Sequence, residues 1–143
     1  MQIRLEEGAR TLAFVGALLF LAGLLQGLVV QQFANPRMAL SAHLDAVQSG
    51  MAVMIAAVFW SACKWAPFTE KIARWALSAG MVGLWLGITL AAMTGASEAL
   101  PIAGAGHSAS PPLELASSAV IISSSVLVLA GWLMFVIGLI RGR

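Results

Sequence analysis

Long apolar stretches alternate with short polar connections along this chain. A helix that crosses a membrane needs roughly 20 mainly apolar residues. Four stretches are long enough, at about residues 11–33, 41–63, 72–94 and 116–140. Ser41 is the expected N-cap of the second helix, and residues 95–115 form the longest connection. The pattern predicts an all-α integral membrane four-helix bundle, one domain over residues 1–143.

The composition supports a membrane protein and excludes several functions. Mean hydropathy is +0.92 and only 10% of the residues are charged, whereas soluble proteins carry about 25%. The net charge of +2 gives no nucleic-acid footprint, so we expect no nucleic-acid partner. Cys63 is the single cysteine, which excludes an internal disulfide and a cysteine-based metal cage. The chain has no tyrosine, so no phenol can act as a catalytic acid.

The distribution of lysine and arginine predicts the orientation in the lipid bilayer. With four spans, the two termini and the second connection share one side. That side holds seven of the eight basic residues, namely Arg4, Arg10, Lys64, Lys71, Arg74, Arg141 and Arg143. Only Arg37 lies on the other side. The positive-inside rule then places both termini in the cytoplasm, and we expect the inner membrane of a bacterium.

Glycines recur at helical spacing in the first and third spans. Gly23 with Gly27 and Gly83 with Gly87 each form a GxxxG pattern, which permits close contact between helices. The glycine face of the third span can pack against a helix or leave room for a flat ligand, and the sequence leaves both readings open.

Candidate chemistry is concentrated at the start of the second span. Ionisable groups inside a membrane are costly and are candidate functional residues, and His43 and Asp45 are the strongest here. At about 100° per residue, Asp45 points about 200° away from His43. The two side chains therefore serve different faces of one helix.

Each face suggests a role. The face of His43 continues through small residues such as Gly50, and an imidazole above such a surface suits a porphyrin. The opposite face carries Asp45, Gln48 and Ser49, which can orient a polar substrate or bond to neighbouring helices. His43 can also be an interfacial residue without a ligand, and Asp45 can pair with Arg37 or favour the helix N-terminus.

Two motifs resemble one enzyme family. The run from Phe33 to Asp45, FANPRMALSAHLD, is similar to the pattern NPRMxLSxHLEGxxNG of the hydroxylaminobenzene mutases. The run from Pro101 to His107, PIAGAGH, also resembles that family. These small four-span membrane proteins are in turn similar to the styrene oxide isomerases, which are trimeric membrane haem proteins.

The resemblance implies a function and a cofactor. It implies a membrane-embedded isomerase or mutase of a small aromatic substrate, converting an N-aryl hydroxylamine to a 2-aminophenol. It implies that ferric haem b acts as a Lewis acid, that His43 is the ligand of its iron, and that Gly50 lies beside the haem. It also implies a homotrimer. Asp45, Gln48 and Ser49 become the candidate catalytic residues, with His107 as a possible lid residue.

The sequence also departs from the family. Ser49 replaces an asparagine that faces the substrate in the isomerases, and Asp45 replaces a glutamate. The active-site tyrosine of the isomerases is absent, and the third span lacks an expected asparagine. Two alternatives therefore stay open: a styrene-oxide-type epoxide isomerase, or a non-enzymatic haem-binding membrane protein.

Overall fold

The computed structural model describes residues 6–142, and within them every regular element is helical. The five α-helices are α1 (Glu7–Gly27), α2 (Pro36–Phe59), α3 (Pro67–Thr94), α4 (Pro101–Gly104) and α5 (Pro111–Gly142). Short 3-10 turns follow α1 at Val30–Gln32 and α2 at Trp60–Ala62. All except α4 are long and apolar enough to cross a membrane. The predicted all-α fold with four spans is confirmed.

Proline starts four of these helices, and this shifts their predicted beginnings. Pro36, Pro67, Pro101 and Pro111 are each the first residue of a helix, where the missing N–H is not needed and the fixed φ suits the helix. Consequently α2, α3 and α5 begin about five residues earlier than the hydropathy pattern indicated. The first span, in contrast, ends at Gly27 and not at about residue 33.

The N-cap predicted at Ser41 is wrong. Asn35 caps α2, because its side-chain oxygen accepts the backbone N–H of Met38 at 3.1 Å. Ser41 lies within the helix, and its hydroxyl donates to the carbonyl of Arg37. Asn35 is fully buried, and its amide also donates to the carbonyl of Ala103 at 3.0 Å. One residue therefore caps α2 and ties it to α4.

Small residues bring the helices into close contact. A Cβ on Gly23 would lie 2.9 Å from the backbone nitrogen of Val47, so the backbones of α1 and α2 come close together there. On the other side of the bundle, a Cβ on Gly87 would lie 2.8 Å from Ile121 of α5. Of the two readings of the glycine face on α3, helix packing is therefore confirmed.

The outer surface of the bundle is apolar. Many large hydrophobic side chains are exposed on it, among them Phe14, Val58, Leu115 and Leu129. Such a surface is stable in contact with lipid, where no apolar area faces water. The bundle is thus built for a lipid bilayer.

The connection between α3 and α5 is a folded segment. Gly95 ends α3 with φ of 81°, a left-handed conformation that glycine adopts without strain. The buried carboxylate of Glu114 then accepts the backbone N–H groups of Ser97, Glu98 and Ala109 at 2.9–3.1 Å. The segment predicted as a loop over residues 95–115 is fastened to the first turn of α5.

Candidate active site

His43 lies at the contact between α2 and the last turns of α1. Its Nδ1 is 2.7 Å from the carbonyl oxygen of Gly23. Since a carbonyl oxygen only accepts, Nδ1 carries a proton, and in the neutral ring Nε2 then keeps a free lone pair. The ring also lies against Gly27, where a Cβ would come within 2.9 Å of Nδ1 and Cε1. Two glycines of α1 therefore fix the position and the tautomer of this imidazole.

An open cavity of about 450 Å³ adjoins His43. It lies where α1 ends and α2 begins, and its walls are mostly apolar. It is lined by Gly27, Leu28, Val30, Gln31, Pro36, Arg37, Leu40 and His43. Arg37 is exposed, with its guanidinium 3.5 Å from the carbonyl of Ile102. The cavity thus combines one imidazole, apolar walls and one cation.

The surroundings of His43 fit a histidine that would hold haem iron. An imidazole that ligates a metal commonly donates its other N–H to a backbone carbonyl, as His43 does to Gly23. Within residues 6–142, no group of three His, Cys, Asp or Glu side chains can hold a metal ion. A single imidazole fits iron whose other ligands would come from a cofactor such as a porphyrin. The exposed Arg37 can pair with the carboxylates of such a group.

Gly50 lies below His43 on α2, in the contact with α1. A Cβ on Gly50 would be 2.6 Å from the backbone nitrogen of Phe20 and 2.7 Å from the carbonyl of Gly16. Gly50 does not line the cavity beside His43. The small-residue face that the sequence offered to a flat ligand is covered by α1 at this depth.

The polar candidates on the opposite face of α2 do not line the His43 cavity; they are Asp45, Gln48 and Ser49. The Ser49 hydroxyl donates to Oδ1 of Asp45 at 3.4 Å, and Ser49 itself is buried. The other oxygen of Asp45, Oδ2, is buried and has no hydrogen-bond partner among the described residues. Gln48 is exposed. The polar face of α2 therefore offers one unpaired carboxylate oxygen and one free amide.

His107 is exposed in the segment between α4 and α5. Its backbone N–H donates to the carbonyl of Gly104, and its side chain does not line the His43 cavity. A second cavity of about 350 Å³ lies beside that segment and is lined by Arg37, Ser41 and residues 99–103. Arg37 therefore borders both cavities.

The comparison with protein families decides what kind of protein this is. The family model described as styrene oxide isomerase matches residues 8–142, which is nearly the whole chain. The chain belongs to the styrene oxide isomerase family.

Two curated relatives, both from Ectopseudomonas oleovorans, refine the relationship of this family member. Hydroxylaminobenzene mutase HabA is 33% identical over 127 residues, which is 88% of this chain and 94% of the relative. Hydroxylaminobenzene mutase HabB is 35% identical over 123 residues, 84% of this chain and 75% of the relative. No solved structure shows a significant match. The protein is an isomerase, and the resemblance to the mutases is confirmed.

Sequence reasoning missed one polar cluster of this isomerase. Gln26 of α1 is only 6% exposed, and its amide bonds to Trp85 and Thr89 of α3. The signal was present, because a lone amide within an apolar span needs partners. The cluster lies next to the two glycines that hold His43.

Proposed function

We propose that the protein converts an N-aryl hydroxylamine to a 2-aminophenol, and that His43 would hold the iron of a ferric haem b. Two observations support this proposal. Both curated relatives are named hydroxylaminobenzene mutases. The deciding one is the geometry of His43, whose Nδ1 donates to Gly23 while the ring borders an open cavity of about 450 Å³.

The reaction is an isomerisation, so no oxidant or reductant is consumed. The N–O bond breaks and a C–O bond forms at the ortho carbon. That carbon loses its proton, and the nitrogen gains one proton in return. Bound ferric haem would supply a Lewis acid that weakens the N–O bond. His43 would hold that group, and its bond to Gly23 places the proton of the neutral ring on Nδ1, which leaves Nε2 as the ligating atom.

The cavity walls contribute by excluding water. Leu28, Val30 and Leu40 line the cavity and lie in a surface built for lipid. Positive charge that develops on the arene would be trapped by any water present. Apolar walls therefore favour return of the oxygen within the site.

A homotrimer would bring His43 together with the polar residues of the opposite face of α2. His43 and Asp45 occupy different faces of α2, and a cyclic assembly joins two different faces of neighbouring protomers. We propose that the face of α2 with Asp45, Gln48 and Ser49 in one protomer adjoins the His43 cavity of the next. There the exposed Gln48 can orient the substrate. Oδ2 of Asp45 is enclosed within its own protomer, so Asp45 takes up the proton lost from the ring only after its side chain turns toward the neighbouring cavity.

We also propose that both termini lie on the cytoplasmic side of a bacterial inner membrane. Two contacts support this proposal, because they join the region around the second connection to the start of α1 and the end of α5. Lys64 donates its backbone N–H to Gly138, and Arg74 of α3 pairs with Glu7 at 3.7 Å. Arg4 and Arg143, which also entered the charge count, lie outside the described residues. A reporter enzyme active only in the periplasm, fused to the C-terminus, should stay inactive.

The function is tested by assaying phenylhydroxylamine and styrene oxide side by side with purified, haem-loaded protein. We expect 2-aminophenol from the first substrate. Asp45→Asn should lower kcat for this product by about a hundredfold, within the usual range for a general acid or base, and Asp45→Glu should restore part of it. Wild-type protein that leaves phenylhydroxylamine unchanged would contradict the proposal.

Epoxide isomerisation is the second candidate function. The match to the styrene oxide isomerase model over residues 8–142 favours it. Conversion of styrene oxide to phenylacetaldehyde, without turnover of phenylhydroxylamine, would decide for this alternative.

A further inference from the structure

Gln26 forms a polar bridge between α1 and α3 in the apolar interior of the bundle. Its Oε1 accepts the indole N–H of Trp85 at 2.6 Å, and its Nε2 donates to the hydroxyl of Thr89 at 3.2 Å. Trp85 and Thr89 are four residues apart, so they stand on one face of α3. Both ends of the buried amide are therefore satisfied by a single neighbouring helix.

The same turn of α1 carries the contacts of His43. Gly23 provides the carbonyl that accepts from Nδ1, and Gly27 lies against the ring. Gln26 comes between them in the sequence and points to a different helix. The last turn of α1 thus faces α2 with its glycines and α3 with its amide.

The bridge controls how far this turn can rotate. The backbone of an α-helix has a radius of about 2.3 Å, so a rotation of roughly 20° moves a Cα atom by about 0.8 Å. A shift of that size would stretch the 2.7 Å bond between His43 and Gly23 beyond the normal hydrogen-bond range. In apolar surroundings, such a rotation would also break the bonds of the Gln26 amide, which have no water to replace them.

We infer that Gln26 is a positioning residue for His43. By fixing the rotation of α1 against α3, it keeps the Gly23 carbonyl on Nδ1 of His43 and so sets the tautomer and donor strength of that imidazole. The inference rests on the proposed role of His43 as a haem ligand.

The test replaces Gln26 by an apolar residue of similar length and observes His43 directly. In protein without haem, ¹⁵N NMR of the imidazole should show Nδ1–H as the dominant tautomer. Gln26→Met should give a mixture of tautomers. The same variant should bind haem about tenfold more weakly, which is the lower end of the effect of outer-shell partners. The bound iron should have a higher midpoint potential than in the wild type.

Two further proteins separate positioning from a general loss of stability. The triple variant Q26M/W85F/T89V removes every polar member of the bridge. Its thermal stability should recover, because no buried group is left unpaired, while the His43 signals should stay shifted. The matched control is Trp132→Phe in α5, where the indole packs edge-on against Phe135; it should leave His43 unchanged.

The outcomes are distinguishable from failure of the proposed function. Unchanged tautomer and midpoint potential in Gln26→Met would overturn the positioning role, even if haem binds to His43. A His43 signal that returns to normal in the triple variant would also overturn it. If wild-type protein binds no haem, the proposed function fails, and the NMR measurement on the haem-free protein still decides the role of Gln26.

Discussion

Gly27→Ala is a small change that acts directly on His43. The added Cβ would lie 2.9 Å from Nδ1 and Cε1 of the ring, whereas carbon atoms in contact are about 3.5–4.0 Å apart. The ring must therefore retreat by about 0.6 Å or more. A retreat of that size lengthens the 2.7 Å bond to Gly23 to as much as about 3.3 Å and forfeits part or all of its roughly 0.5–1.5 kcal/mol. Since about 1.4 kcal/mol equals a factor of ten, haem affinity should fall by up to about tenfold.

The stability of the fold should fall as well, by up to about 2.5 kcal/mol, so the haem titration needs a control glycine with a similar crowding cost. Alanine favours a helix over glycine by roughly 0.5–1 kcal/mol, which offsets part of the roughly 1–3 kcal/mol that crowding costs. The assay titrates haem into detergent-solubilised protein without cofactor and follows the Soret absorbance. The matched control is Gly80→Ala, where the Cβ would lie 2.8 Å from the backbone nitrogen of Val128 in a different helix pair. Equal haem affinity in Gly27→Ala and the control would refute the idea that Gly27 positions the ring.

Three other predictions test the frame of the site. Asn35→Ala should lower the free energy of unfolding by roughly 2–3 kcal/mol, because it removes a helix cap and leaves the carbonyl of Ala103 unpaired. Asn35→Ser should recover the part of this loss that is due to the cap. Equal thermal stability of the wild type and both variants would contradict this prediction. Glu114→Gln should speed hydrogen exchange at the three loop amides that the carboxylate accepts, and unchanged protection would show that the segment is held otherwise. Burial raises the pKa of the Cys63 thiol, so its alkylation should accelerate only at a higher pH than that of a free cysteine; a rate already maximal at neutral pH would be inconsistent with that environment.

The four spans were predictable because lipid imposes a simple rule. A long apolar run must become a helix, since only a helix satisfies its own backbone in the membrane. Gly23, Gly27 and Gly87 were also recognisable as close-contact positions, since their spacing puts small residues on one helix face.

The helix starts and the folded segment were not predictable from hydropathy. Asn35 and the prolines that begin four of the five helices belong to the polar connections, where a window of apolar residues gives no signal. The role of Glu114 depends on three backbone groups that come close only in the folded chain.

The candidate site was predicted in part. Helical periodicity correctly separated the faces of His43 and Asp45, because that angle follows from the number of residues between them. Periodicity could not show that α1 covers Gly50, or that Gly23 accepts from His43, since both depend on which helix packs there. The roles of Asp45, Gln48, Ser49 and His107 stay predictions.

The central claim is that His43 binds haem iron. The most direct measurement is the visible absorption spectrum of the purified protein, first oxidised and then reduced, for wild type and for His43→Ala. We expect a Soret band near one haem per chain in the wild type, and its loss in a variant that still folds. A colourless wild type after haem has been supplied, or a full Soret band in His43→Ala, would contradict the account.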